Sequence, residues 1–245
     1  MVFLHGWSLH SAFWQYQMVA LADRGFRAVA YDRRGHGRSG DPGRGYDYDT
    51  LADDLATILE RAGLRDVTLV GHSMGAGEIV RYLSRHGRSR VGRAVLVGAT
   101  LPFLLRTPDN PDGIDGAFFD SWRRALSTDW GRWQGENEAP FWTPETSARM
   151  KEWGRSLPQS CSLHAAIACT HAVTETDFRA ELRALPVRTL LVHGTEDRSV
   201  WVRFARLALQ LVPDCRLEEY VGAPHGLPLT HMERFNRDLL GFVGS

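Results

Sequence analysis

Lysine is almost missing from this 245-residue chain: of 29 basic residues only Lys151 is a lysine, and 29 acidic residues cancel them to a formal charge of +0. With no basic stripe and no acidic tail, nothing favours nucleic acid or an anionic membrane as a partner, and a small molecule is expected instead. Cysteine is scarce as well. Cys161, Cys169 and Cys215 are odd in number, form no CxxC pair and lie in a chain large enough to need no disulfide staples, which fits a reducing, cytoplasmic setting. No apolar run approaches the roughly 18 residues of a membrane span. The opening MVFLHG lacks the charged and long apolar segments of a secretion signal. His36, His72, His86, His164, His171 and His231 show no paired ligand spacing, so no metal is expected. The glycines of RRGHGRSG lead into no dinucleotide-binding helix and no phosphate loop is present, so no cofactor is expected either.

What the chain does have is a rhythm. Short β-branched runs at 2–4, 26–32, 67–71, 92–98, 187–194 and 215–221 suit strands buried on both faces, and helical patterns separate them. In 48–63, for example, Leu51, Leu55, Ile58 and Leu59 recur at helical spacing and Gly63 supplies a stop. Strand and helix alternating through short loops predict an α/β protein with a mostly parallel sheet covered by helices. Between 101 and 186 the rhythm breaks: no convincing strand occurs, while Phe118, Phe119, Trp122, Trp130, Trp133, Phe141, Trp142 and Trp153 crowd helix-like segments. The expected organisation is a core in two parts, 1–100 and 187–245, with an inserted helical lid at 101–186. Most of the lid aromatics are expected to form its own core, and a minority to face a pocket.

The chemistry centres on LVGHSMGAG, residues 69–77. A Gly-X-Ser-X-Gly sequence between a strand and a helix forces a sharp turn that strains the serine and leaves no room for side chains beside it. Gly71, Gly75 and Gly77 allow that turn, and the turn exposes Ser73 as a nucleophile above the sheet edge. A serine hydroxyl needs a base and a group to orient that base. Asp197, after the strand at 187–194, and His225, after the strand at 215–221, both fall at carboxyl ends of strands, the edge where Ser73 also sits. Glu196, next to Asp197, is the rival acid. Backbone amides of Met74, after the nucleophile, and of Trp7, in the loop after the first strand, are the expected oxyanion donors. Gly6 lets that loop turn, and His5 is expected to brace it. Asp32 is read as part of a structural ion-pair cluster and Glu78 as facing the surroundings of its helix. Trp7 is also expected to line the pocket.

The motifs FLHGW, AYDRRGHGRS, GHSMGAGE, TETDFR, LLVHGTED and APHG run in register through nearly the whole chain. In this it resembles the α/β-hydrolases of the group that includes bacterial aryl esterases, lactonases and cofactor-free (non-haem) haloperoxidases. The resemblance implies the α/β-hydrolase fold, a triad of Ser73, Asp197 and His225, oxyanion amides on Trp7 and Met74, and a substrate pocket touching Trp7 and Phe178. For Asp177 and Phe178 it suggests pocket shaping or a lid hinge, with plain packing the equal alternative. It implies a serine hydrolase of small apolar esters or lactones, and leaves open a perhydrolase or haloperoxidase using the same triad, or a non-catalytic ligand receptor. It also allows a homo-oligomer. Two departures stand out. Family members carry a β-hairpin ahead of FLHG, whereas this chain opens at Met1, so the N-terminal hairpin strands are expected to be missing. Members named haloperoxidases often carry proline after the oxyanion tryptophan, whereas Ser8 stands here.

Overall fold

The structure is a computed structural model that describes residues 1–244. Strands β1 (Val2–Leu4), β2 (Val29–Ala30), β3 (Val67–His72), β4 (Val91–Val97), β5 (Arg188–Gly194) and β6 (Cys215–Tyr220) form one sheet. Their order is β2-β1-β3-β4-β5-β6 and every neighbouring pair is parallel. The apolar runs are continuous because both faces are covered. Along β4, Ala94 and Leu96 enter one core, while Val95 and Val97 enter the core on the opposite face. Leu69 and Val70 of β3 divide in the same way.

The helices are α1 (Gln15–Ala22), α2 (Tyr48–Arg61), α3 (Met74–His86), α4 (Gly116–Thr128), α5 (Trp130–Asn137) and α6 (Ala148–Ser156). They continue with α7 (Leu163–Glu175), α8 (Arg179–Arg183), α9 (Val202–Leu209), α10 (Leu227–Thr230) and α11 (Met232–Val243). Helix α2 starts where the Asp47 side chain accepts from the Thr50 amide at 2.9 Å, and buries Leu51, Leu55 and Leu59 against the sheet. Helix α11 covers the other face with Phe235, Leu239 and Phe242. Helices α4 to α8 all lie between β4 and β5, where no strand was expected and none is found among the described residues. No described helix is long and apolar enough to cross a membrane.

One strand is shorter than its sequence suggests. Of the run 26–32 only Val29 and Ala30 pair with β1. Beyond them Asp32 turns its carboxylate to the amides of Ser11 (2.8 Å) and Arg38 (2.9 Å), which draws the chain out of the ladder. Because β1 lies between β2 and β3, the chain winds in opposite directions on its two sides. That reversal leaves a crevice at the carboxyl ends of the strands.

Candidate active site

Ser73 links β3 to α3 with φ 53° and ψ −115°, a left-handed conformation that costs a non-glycine residue on the order of 1–3 kcal/mol. It is held there from both sides: its amide donates to the Val97 carbonyl at 2.8 Å, and its carbonyl accepts from the Ala76 amide at 3.0 Å. The tight approach explains the glycines. A Cβ on Gly71 would sit 2.5 Å from the Gly75 carbonyl oxygen, and one on Gly75 would sit 2.6 Å from that of Leu4. Helix α3 can therefore start directly against β1 only without those side chains.

Asp197 follows β5 and His225 follows β6, and the two meet: His225 Nδ1 and Asp197 Oδ2 are 2.6 Å apart. The other carboxylate oxygen accepts from the amides of Ser199 (2.9 Å) and Val200 (2.8 Å). Burial works to raise the Asp197 pKa, but the charge and hydrogen bond of His225, with help from His193 and the Val200 amide, outweigh it and hold the carboxyl below its ordinary value. A carboxylate on Nδ1 keeps the proton of neutral His225 there and leaves Nε2 free to accept one. The adjacent Glu196 is exposed, whereas Asp197 is 2% exposed.

His72, beside Ser73, donates from Nε2 to the His225 carbonyl at 3.0 Å, and the two rings lie 4.6 Å apart. Burial, then the neighbouring His225, pushes its pKa down to about 3, so it stays neutral. Sequence reasoning missed this tie. A histidine at that position shows no spacing that would mark it as a support for another loop.

Ser73, His72 and His225 open into one cavity of about 690 Å³, together with Gly6 and Trp7. Met74 is the first residue of α3, so its amide has no carbonyl of the same helix to bond. Trp7 anchors its indole on the Ala166 carbonyl of α7 at 2.7 Å. The edges of Trp122, Trp130 and Trp133 surround it, with ring centroids 5.0, 5.5 and 5.4 Å away.

With this geometry in view, the family model described as α/β hydrolase fold matches residues 1–232. The chain belongs to the α/β-hydrolase family. It is 38% identical to non-heme chloroperoxidase CPO-A1 of Kitasatospora aureofaciens over 99% of this chain and 91% of that protein. It is 35% identical to the bifunctional esterase/perhydrolase DCH of Acinetobacter calcoaceticus over 99% of this chain and 91% of that protein. Among solved structures, the bromoperoxidase of Bacillus anthracis superposes with a TM-score of 0.96 at 35% identity, covering 100% of this chain and 91% of that one.

Around the site this α/β-hydrolase departs from its sequence-based expectations in two further places. Phe178 does not line the cavity. It is fully buried with its ring edge-on to Tyr48 of α2 (5.0 Å) and beneath the Arg81 guanidinium (5.4 Å), because the loop before α8 turns it into the core. Its neighbour Asp177 bonds Arg179, which also reaches Asp109, so the pair closes loops on the surface. The second correction concerns the aromatics between β4 and β5. Phe118, Phe119, Trp122, Trp133, Phe141 and Trp142 all line the cavity, so most of those named face it rather than packing only among themselves. Ser8 adds a further detail: its φ is 58°, which the proline ring, locked near −65°, does not permit.

Proposed function

We propose that this α/β-hydrolase is a serine carboxylic-ester hydrolase that cleaves small, mostly apolar esters or lactones through an acyl-enzyme on Ser73. The observation that carries the reading is the Asp197–His225 bond of 2.6 Å, which leads to a cavity lined by both His225 and Ser73 on its strained turn. In the proposed cycle His225 Nε2 takes the Ser73 proton as Oγ attacks the substrate carbonyl, and the amides of Trp7 and Met74 receive the oxyanion. The same imidazole then protonates the leaving alkoxide. Water, deprotonated by His225, attacks the acyl-enzyme, and collapse releases the acid and returns the proton to Ser73. Asp197 holds the imidazole and stabilises its cation. Residues 101–186 serve as the lid, whose aromatic wall favours apolar acyl or alcohol groups.

The names of the relatives favour a second reading for the same residues, perhydrolysis, in which hydrogen peroxide takes the place of water and releases a peracid. Both readings require Ser73. The decisive experiment is initial-rate hydrolysis of p-nitrophenyl acetate and butyrate by the wild type and Ser73→Ala. A loss on the order of a thousandfold or more is expected in the mutant. Equal rates in the two proteins would remove Ser73 from the chemistry, and a folded wild type that only binds the ester would point to a receptor.

A further inference from the structure

Beneath the loop that carries Trp7 lies a buried polar cluster that the reaction as written above does not use. Arg33, 2% exposed, donates from Nε and Nη2 to Glu78 Oε2 at 2.9 and 2.8 Å. Glu78, itself fully buried, takes the Tyr31 hydroxyl on its other oxygen. The same guanidinium reaches up into the loop, where Nη2 donates to the His5 carbonyl at 2.9 Å and Nη1 lies 3.5 Å from the Gly6 carbonyl. His5 completes the arrangement. Its Nε2 accepts from the Arg33 amide at 3.0 Å, which leaves the proton on Nδ1, and Nδ1 then donates to the Gly6 carbonyl at 2.8 Å.

These bonds decide which way one peptide faces. In a trans peptide the carbonyl and the following N–H point in opposite directions. The Gly6 oxygen is drawn down toward His5 and Arg33, so the Trp7 N–H points away from them, toward the cavity that Gly6 and Trp7 line. Gly6 has no room for a side chain here, since a Cβ would lie 2.6 Å from His72 Nδ1. At its other end the ion pair is fastened to α3, because Glu78 stands one turn beyond Met74 on that helix.

We propose that Arg33 and Glu78 are positioning residues for the oxyanion site. The guanidinium turns the Gly6–Trp7 peptide, and its ion pair ties that peptide to the helix that supplies the Met74 amide. This rests on the ester-hydrolase reading of the same site. Two donors on separate elements then keep a fixed separation, and preorganised donors lower a barrier most when they do not have to move. Hydrogen bonds on the Gly6 carbonyl also polarise the peptide and strengthen the Trp7 N–H as a donor.

The test compares wild type, the double variant Arg33→Met/Glu78→Gln, which removes both charges together, and Arg33→Lys. The readouts are kcat and KM for p-nitrophenyl butyrate, the affinity for phenylboronic acid, whose tetrahedral adduct on Ser73 imitates the oxyanion, and the affinity for butyramide, which resembles only the ground state. In the double variant kcat and boronate affinity are expected to fall together by about a hundredfold, the scale of a misplacement of about 1 Å. KM and butyramide affinity should stay near wild type. Arg33→Lys keeps the charge but not the forked donor, so it should show a smaller loss of the same kind, and it carries the test should the double variant not fold. A folded double variant with wild-type kcat and boronate affinity overturns the proposal, as does a loss spread equally over KM and butyramide. A wild type that neither hydrolyses the ester nor binds the boronate would take down the ester-hydrolase reading and this proposal together.

Discussion

At the scale of single residues, the site depends on how few partners each group has left to choose. Both oxygens of Asp197 are engaged, one by His225 and one by the amides of Ser199 and Val200. Asparagine in its place would keep its oxygen on those amides and turn its NH2 toward His225. The imidazole would then have to accept on Nδ1 and carry its proton on Nε2, where it cannot act as a base. Asp197→Asn is therefore expected to keep the fold and lose roughly ten-thousandfold in kcat, the size of effect expected from the wrong tautomer. A loss of less than about tenfold in p-nitrophenyl butyrate turnover would show that another group orients His225. The choice between Asp197 and Glu196 was open in the sequence, where two carboxylates stand side by side. The turn after β5 buries Asp197 against His225 and leaves Glu196 in solvent, which favours Asp197 as the orienting group in the proposed mechanism.

At the scale of elements, the contact between α3 and β1 matters most, because it brings the turn at Ser73 next to the loop at Trp7. Replacing glycine by alanine inside an exposed helix normally stabilises it by about 0.5–1 kcal/mol. Gly135 in α5 has nothing within 4 Å of where a Cβ would be, so Gly135→Ala should show that gain. Gly75→Ala should show the opposite sign. Its Cβ would meet the carbonyl oxygens of Leu4 and His5 at 2.6 and 2.9 Å, and a strand backbone cannot step aside as a flexible side chain can. A destabilisation of about 1–3 kcal/mol is expected, the usual cost of overpacking. Urea unfolding of the two variants checks the prediction, and a gain in stability for Gly75→Ala would mean that the helix can slide along the sheet. Most elements were legible because their signals are local: the pattern over 48–63 becomes Tyr48–Arg61, and the run 92–98 becomes Val91–Val97. The run 26–32 misled because hydrophobicity says that a segment can pair, not where its polar neighbours will pull it away.

At the scale of the whole molecule, acid is the condition to which the interior is most exposed. His5, His36, His72 and His193 are all buried, and burial lowers each pKa, for His36 and His72 to about 3. A unit or more above pH 6.5 these groups are neutral in the folded and the unfolded chain and add almost nothing to the pH dependence. Below pH 6.5 the unfolded chain takes up protons that the folded chain refuses, so stability falls as pH falls, by about 1.4 kcal/mol at pH 5.5 for each of His36 and His72, with His5 and His193 acting in the same direction. Asp197 works in the same sense, because its lowered pKa also leaves the unfolded chain binding more protons, but its contribution is lost only in more acid solution, below the unfolded carboxyl's own pKa. Urea unfolding between pH 7.5 and 5.5 should therefore show a loss of about 3 kcal/mol or more. His36→Gln should flatten the curve by one histidine's share. A stability that stays level over that range would mean that the buried imidazoles are already charged.

By itself the sequence determined the alternation of strand and helix, the helical stretch between β4 and β5, and the turn at Ser73. Each of these is written in neighbouring residues, as apolar runs, helical spacing or glycines two to four positions apart. It also brought Asp197 and His225 to the right edge of the sheet, since parallel strands joined by helices all end there. Only the tertiary structure decided which side chains meet across that edge. Phe178 faces the core and Trp122 the cavity, and Arg33 joins the Trp7 loop to α3, because such contacts depend on how elements far apart in the chain rotate as they pack. No local pattern encodes that rotation, because it follows from filling the space between the sheet and its helices.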